Sequence, residues 1–236
     1  MDDAHTDHGV GVVVVAAGSG TRLGADRPKA FVELAGVTIL EHALRGVLAS
    51  RPGEVVVVVP QAFVDEARSI VACLDLADAR AEVVPGGAER SESVSAGLAV
   101  LSDHVDRVLV HDAARCLTPV GVFERVLAAL AAGAVGAVPG VAVIDTVKVI
   151  DAGGLIVDTP LRESLRAVQT PQGFVRGILT AAHAAGAAAT DDAALVEALG
   201  HDVLVVEGDH RALKVTTPDD LARAERLLTD RWSALP

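Results

Sequence analysis

A doubly wound α/β domain with a mostly parallel sheet is the architecture this sequence predicts, on three observations. Strand-like valine runs alternate with helix-like runs nearly throughout the 236 residues. Apolar residues make up 51% of the chain but aromatics only 2%, so the core is built from Val, Ala and Leu, as in buried parallel strands covered by helices. The first valine run ends in a glycine-rich loop, where open α/β sheets place their ligands. One full core suits this length, and residues 1–236 are expected to form a single domain.

Val10–Ala17 is the first strand. Thr38–Ala49 is the first helix, with Thr38 and Glu41 at capping-box spacing. The unit repeats as strand Glu54–Val59, helix Gln61–Leu74, strand Ala81–Val84, helix Arg90–Leu101, strand Arg107–His111, helix Pro119–Ala132 and strand Ala134–Val138. The stretch Val126 to Ile144 carries no charge and is long enough to span a bilayer. Gly133, Gly136, Pro139 and Gly140 interrupt it, so a helix, a turn and a buried strand are expected instead. From Val141 to Val168 the rhythm breaks: strand Val141–Ile150, a Gly153-Gly154 turn, short strand Leu155–Val157, then an irregular basic stretch. This predicts a protruding β-hairpin arm at about 141–168, whose exposed edges call for a partner. Ala212–Thr216 reads as a strand carrying Lys214. Thr217-Pro218-Asp219-Asp220 then supplies a cap, a first-turn Pro and two dipole-favoured acids for the last helix.

Charge narrows the partners. Twenty basic against 32 acidic residues leave a net charge of -12, which repels nucleic acid and anionic membranes. A phosphate site must then be a local basic focus. The two cysteines, Cys73 and Cys116, have no ligand spacing, and a reducing compartment fits them. The acidic start Met1–His5 does not read as a secretory signal, and a cytoplasmic location is expected.

The loop after the first strand is Ala16-Ala17-Gly18-Ser19-Gly20-Thr21-Arg22-Leu23, whose small residues let backbone N–H groups approach phosphate. No Gly-Lys-Ser/Thr follows, so it is not a Walker loop. Leu23 stands where a dinucleotide fingerprint needs a third glycine, which disfavours an oxidoreductase. Arg22 and Pro28-Lys29 place two cations around this loop. Of the 20 basic residues only three are lysines, Lys29, Lys148 and Lys214. A retained Lys suggests that a compact ammonium is wanted, as at Lys29 and Lys214, and chance placement on solvated faces is the equal alternative from lysine usage alone. Asp112, in His111-Asp112-Ala113-Ala114-Arg115, ends a strand where it can meet a hydroxyl or hydrated magnesium, or simply order its loop as an Asx turn. Gly86-Gly87 with Arg90 and Ser93 forms a glycine turn entering a helix N-terminus, usable by polar ligand groups.

The order Ala-Ala-Gly-x-Gly-x-Arg (16–22), Pro-Lys (28–29), Gly-Gly-x-x-Arg-x-x-Ser-Val (86–94), His-Asp-Ala-Ala-Arg (111–115), Asp-Thr (145–146), Gln-Thr-Pro-Gln (169–172) and Lys-Val-Thr (214–216) resembles the 2-C-methyl-D-erythritol 4-phosphate cytidylyltransferases, from about Val10 to Leu228. The resemblance implies a Rossmann-like nucleotidyltransferase fold of the nucleotide-diphospho-sugar transferase type, and a step of the non-mevalonate isoprenoid pathway. It also implies CTP as substrate, magnesium held mainly by the CTP phosphates, no protein metal site, and a homodimer joined through the arm. Carried over by motif, Arg22 and Lys29 match cations that stabilise the transition state, while Lys214 and Arg162 match residues that position the attacking phosphate. Ala16, Ala17, Gly18, Gly87 and Ser93 match the cytidine pocket. Asp112, Ala113, Arg115, Thr146 and Thr170 match contacts to ribose or to the sugar-alcohol phosphate, with Thr146 and Arg162 reaching a neighbour's site.

One departure bears on base choice: Ala88 stands where some relatives place an Asp. The motifs also resemble those of ribitol-phosphate cytidylyltransferases, so the polyol stays open between the two. A catalytically silent nucleotide-binding scaffold is a further alternative, disfavoured because it needs none of Arg22, Lys29, Arg162 and Lys214. No His–carboxylate pair or nucleophile motif stands out, and His111 and His42 are expected to be structural.

Overall fold

The computed structural model describes residues 7–18, 23–24, 26–186 and 189–233. Its first half alternates as expected: β1 (Asp7–Val15), a small hairpin of β2 (Glu33–Leu34) and β3 (Val37–Thr38), α1 (Ile39–Ala49), β4 (Pro52–Val59), α2 (Val64–Ala72), β5 (Arg80–Pro85), α3 (Arg90–Val100) and β6 (Arg107–Asp112). Then come α4 (Val120–Ala131), β7 (Gly136–Ala142), β8 (Val149–Ile150), β9 (Ile156–Asp158), β10 (Arg166–Val168), β11 (Gln172–Val175), α5 (Arg176–Ala184), α6 (Asp192–Ala198), β12 (Val203–Glu207) and α7 (Pro218–Ser233). The main sheet runs β10-β7-β11-β6-β1-β4-β5, with β12 also paired to β7. Pairs β1–β4, β1–β6, β4–β5 and β12–β7 are parallel; β11 is antiparallel to β6 and β7, as β10 is to β7.

The sheet is covered on both faces, which explains the unbroken valines. Every position of β4 is buried. In β1, Val12 and Val14 join one apolar cluster with Leu40 and Leu44 of α1, Ala67 of α2 and Phe123 of α4. Val13, pointing the other way, joins a second with Val94 and Leu98 of α3 and Leu179 of α5. The period of two along a strand thus feeds two helical layers. The uncharged stretch resolves into α4, a turn at Gly133 and β7, and no helix among the described residues is long and apolar enough to cross a membrane.

Several expected elements differ. Residues 141–150 are not one strand: β7 ends at Ala142, where β10 and β12 supply its last partners, and β8 pairs instead with β9 in a separate hairpin. The basic stretch is ordered, as a 3-10 turn at Arg162–Ser164 followed by β10, which rejoins the sheet. Helix α2 opens with a 3-10 turn at Gln61–Phe63. At α1 the Thr38 hydroxyl accepts from the Glu41 N–H (3.1 Å), but the Glu41 carboxylate turns to Arg45 (2.5 Å), so only half of the box forms. A complete box caps α3 instead, from Glu89 and Glu92. Residues 212–216 form no strand, with a bend at Ala212, so Lys214 sits on a loop; the Val215 N–H donates to the Ala114 carbonyl (2.8 Å).

Candidate active site

The carboxyl ends of β1, β4, β5 and β6 meet at one cleft. Beyond β1 the Ala16 N–H still donates to Val58 (2.8 Å), and the Gly86 N–H donates to Val59 (2.8 Å), so both loops leave the sheet in register. A Cβ on Gly86 would stand 2.6 Å from the Ala17 Cβ and 2.7 Å from the Ser93 Oγ, so only glycine allows these loops to close together. Ser93 is buried and ties the turn: its Oγ donates to the Glu89 carbonyl and accepts from the Gly87 N–H, both at 3.2 Å. Ala16, Ala17, Gly18, Gly87 and Ser93 therefore form one wall of the cleft, with Ala88 beside them. Lys29, Asp112, Ala113 and Lys214 form the other, and Arg90 closes it.

Asp112 is the electrostatic centre. One carboxylate oxygen accepts from Lys214 Nζ at 2.6 Å and the other from Arg90 Nε at 3.3 Å. Burial alone would push the carboxyl up, but Arg90 and Lys214 outweigh it and hold the group well below the usual carboxylate range. Its backbone N–H donates to the buried Thr170 Oγ1 (3.0 Å), which also lies 3.0 Å from His111 Nδ1. Burial pushes His111 down to about 4, so the imidazole is neutral at pH 7 and packs on Phe123. His42 likewise serves structure, its Nε2 lying 2.8 Å from the Leu34 carbonyl oxygen.

Lys29 begins a 3-10 turn that carries the fully buried Phe31. Its neighbour Arg27 pairs with Glu66 (2.5 Å) and lies 5.8 Å and 5.9 Å from the ring centres of Phe31 and Phe63. This clamp fixes the stem from which Lys29 reaches the cleft. Arg22 lies outside the described residues.

Four predicted residues lie elsewhere. Arg115 is not among the lining side chains; its guanidinium donates to the carbonyls of Ala212 (2.7 Å) and Val168 (3.2 Å), clasping the loop before Lys214. Thr170 is buried behind Asp112. Thr146 and Arg162 are exposed on the arm, outside the cleft of their own chain, with Arg162 donating to the Ile144 carbonyl (2.9 Å). In the sequence Arg90 stands only as part of the 86–93 turn, with no role of its own. A basic side chain in the first turn of a helix opposes the helix dipole, and that is the signal that could have found it.

Similarity to known proteins covers the chain. The family model described as 2-C-methyl-D-erythritol 4-phosphate cytidylyltransferase matches residues 10–230. A protein of that name from Nocardia farcinica is 49% identical over 236 residues, all of both chains. The crystal structure of 4-diphosphocytidyl-2C-methyl-D-erythritol synthase from Anaerococcus prevotii superposes with a TM-score of 0.83 at 27% identity, covering 93% of this chain and 98% of that one. The cytidylyltransferase structure from Thermus thermophilus gives 0.73 at 36% identity, over 92% and 98%.

Proposed function

The chain belongs to the 2-C-methyl-D-erythritol 4-phosphate cytidylyltransferase family, and from that premise we propose that it transfers CMP from CTP to 2-C-methyl-D-erythritol 4-phosphate. The products are 4-diphosphocytidyl-2-C-methyl-D-erythritol and pyrophosphate. The observation that carries the reading is the convergence of Lys29, Arg90 and Lys214 with residues 16–18 and 87–88 on one cleft around Asp112. An oxygen of the polyol's phosphate bonds to the α-phosphorus while the α–β bridging bond breaks, and pyrophosphate leaves with the electron pair. The attacking phosphate is already ionised near pH 7, so no side chain has to remove a proton. Charge is the obstacle, since both reactants are polyanions, and fixed cations answer it.

In this reading Lys29 and Arg22 stabilise the transition state, and Lys214 with Arg162 positions the attacking phosphate. Ala16, Ala17, Gly18, Gly87 and Ser93 hold cytidine, Asp112 and Ala113 the ribose. Thr146 contacts substrate from the arm, whereas Arg115 and Thr170 shape the cleft from behind. Magnesium arrives with the nucleotide. In this reading the triphosphate oxygens would hold the ion, which suits a cleft whose central carboxylate, Asp112, already gives one oxygen to Arg90 and the other to Lys214. When bound, it neutralises charge on the triphosphate. The reading also places the enzyme in the cytoplasm, which suits the free thiols of Cys73 and Cys116.

A homodimer completes the proposal. The arm exposes Ile144 (76%), Leu155 (70%) and Leu161 (81%), together with Ile150, Ile156 and Val157, and a lone two-stranded hairpin is marginal in water. A twofold partner would cover these residues and receive Thr146 and Arg162 in its cleft. Pyrophosphate release with CTP and each candidate polyol phosphate tests the reaction: preference for ribitol 5-phosphate overturns the substrate, and equal rates with UTP overturn the base. Mixing inactive Lys29→Ala and Arg162→Ala chains tests the shared site. Random exchange makes half the dimers mixed, each with one intact site, so activity recovers to about a quarter of wild type. No recovery after confirmed exchange rejects the arrangement.

A further inference from the structure

Behind the cleft, Asp192 is completely buried (0% exposed) at the first position of α6. A buried ion pair adds little to stability over apolar packing, so its placement calls for another use. Its Oδ2 accepts from Arg90 Nη1 at 2.8 Å, and its Oδ1 lies 2.9 Å from Nε2 of His183, itself only 4% exposed. A carboxylate only accepts, so His183 carries its proton on Nε2 and turns Nδ1 to the Ser95 Oγ at 3.3 Å. The backbone is equally constrained. Gln172 Nε2 donates to Asp191 (2.8 Å), Gln172 Oε1 accepts from the Ala193 N–H (3.2 Å), and Asp191 accepts from the Ala194 N–H (3.0 Å).

Arg90 spans the gap between this buried carboxylate and the cleft, one end on Asp192 and the other on Asp112. Without Asp192 the guanidinium would be free to turn wholly onto Asp112 and rotate that carboxylate out of its present plane. We propose that Asp192, held by His183, is a positioning residue for the nucleotide site: it fixes Arg90 and, through Arg90, the Asp112 carboxylate that meets the ribose of CTP. This rests on the cytidylyltransferase reading and adds a residue that does not touch the substrate.

The test is initial-rate kinetics in CTP at saturating 2-C-methyl-D-erythritol 4-phosphate, on wild type and on Asp192→Asn. Loss of ground-state ribose binding raises KM for CTP about tenfold while kcat stays within about threefold. A residue with a merely structural role would lower the folded fraction, and so kcat, at unchanged KM. If Asp192 acts through Arg90, the Asp192→Asn/Arg90→Lys double variant is no worse in KM than the worse single variant. Additive effects, or an unchanged KM for CTP, overturn the inference. Should Asp192→Asn not fold, His183→Asn is measured: its amide can stand in for Nδ1 towards Ser95 but does not reach Asp192, and the same rise in KM is expected, its absence being fatal. Wild type that releases no pyrophosphate overturns the proposed function and this inference with it; active wild type with an unaltered variant KM overturns this inference alone.

Discussion

Replacing Asp220 by Asn tests how the Lys214 loop is held. A single oxygen of Asp220 accepts from the N–H groups of Thr216 (3.0 Å) and Thr217 (2.9 Å) and from both threonine hydroxyls (2.6 and 2.9 Å). The Asp220 N–H returns to the Thr217 Oγ1 at 3.3 Å, which makes the start of α7 a reciprocal cap. The Thr216 hydroxyl, more than the opposing burial, lowers the carboxyl from 3.8 to about 2. At 1.36 kcal/mol per unit that shift is an upper bound of about 2.4 kcal/mol, which solvent screening at a half-exposed site reduces. Capping substitutions cost about 0.5–2 kcal/mol, so both routes lead to about 1 kcal/mol for Asp220→Asn at pH 7. The sign follows from a depressed folded value. The stabilisation is full above the unfolded pKa of 3.8 and is lost as pH falls through about 2, so the gap to wild type narrows to roughly half by pH 3. Urea unfolding of both proteins at pH 7 and pH 3 measures it. A gap that is absent at pH 7, or that fails to narrow in acid, refutes the assignment. Turnover is expected to fall as well, because Thr216 lies two residues beyond Lys214.

Lys29→Ala is expected to lower turnover about a hundredfold, as for loss of a fixed transition-state charge. Lys29→Arg is also expected to be poor because a planar fork replaces a point charge, and near-normal turnover would refute the reasoning from lysine usage. Gly86→Ala places a Cβ 2.6 Å from that of Ala17, and such overpacking costs about 1–3 kcal/mol; chemical unfolding and KM for CTP both report it, and no change in either shows that the loops part freely. Ala35 and Gly36 join β2 to β3 with φ of 53° and 78°, so Ala35→Asn relieves a left-handed alanine and stabilises by about 0.5 kcal/mol. A loss of stability there, seen in thermal unfolding, contradicts a primed hairpin turn.

What the sequence revealed and what it concealed have physical reasons. The valine runs were legible because a parallel strand covered on both faces favours apolar residues, and β4 is buried at every position, with Glu54 its single charged residue. Strand β11 was not, because Gln172 and Gly173 look like loop residues until β6 and β7 close around them; Gln172 is spent on Asp191 and Ala193. The site was readable where one local segment supplies the chemistry: Ala16–Gly18, Gly87 with Ser93, and Asp112 with Ala113 all line the cleft. Contacts between distant segments were not readable. Arg90 and Asp192 lie 102 positions apart, as do Asp112 and Lys214, so no spacing rule connects them. Arg115 was likewise not placed by its motif: only the folded chain shows its guanidinium donating to the carbonyls of Ala212 and Val168.

A carboxylate at the centre of a site for polyanions is the feature that most needs a physical account. Arg90 and Lys214 approach the cleft from different elements, and without a shared anion they would repel and take separate solvated orientations. Asp112 prevents this by giving one oxygen to each. Because the two cations hold its carboxyl far below neutral pH, the arrangement keeps its charge alternation throughout the working range. Orientation is therefore set during folding, when the buried Thr170 hydroxyl accepts from the Asp112 N–H and anchors the end of β6. A triphosphate entering such a cleft meets cations already aimed, and little reorganisation is left to do at the moment of bond exchange, which is where preorganised charge lowers a barrier most. The same logic accounts for the acidic exterior. A chain of net charge -12 loses nonspecific affinity for polyanions everywhere except where cations are locally concentrated, so the charge of the whole surface and the charge of the cleft act in one direction: toward phosphate bound at this site and nowhere else.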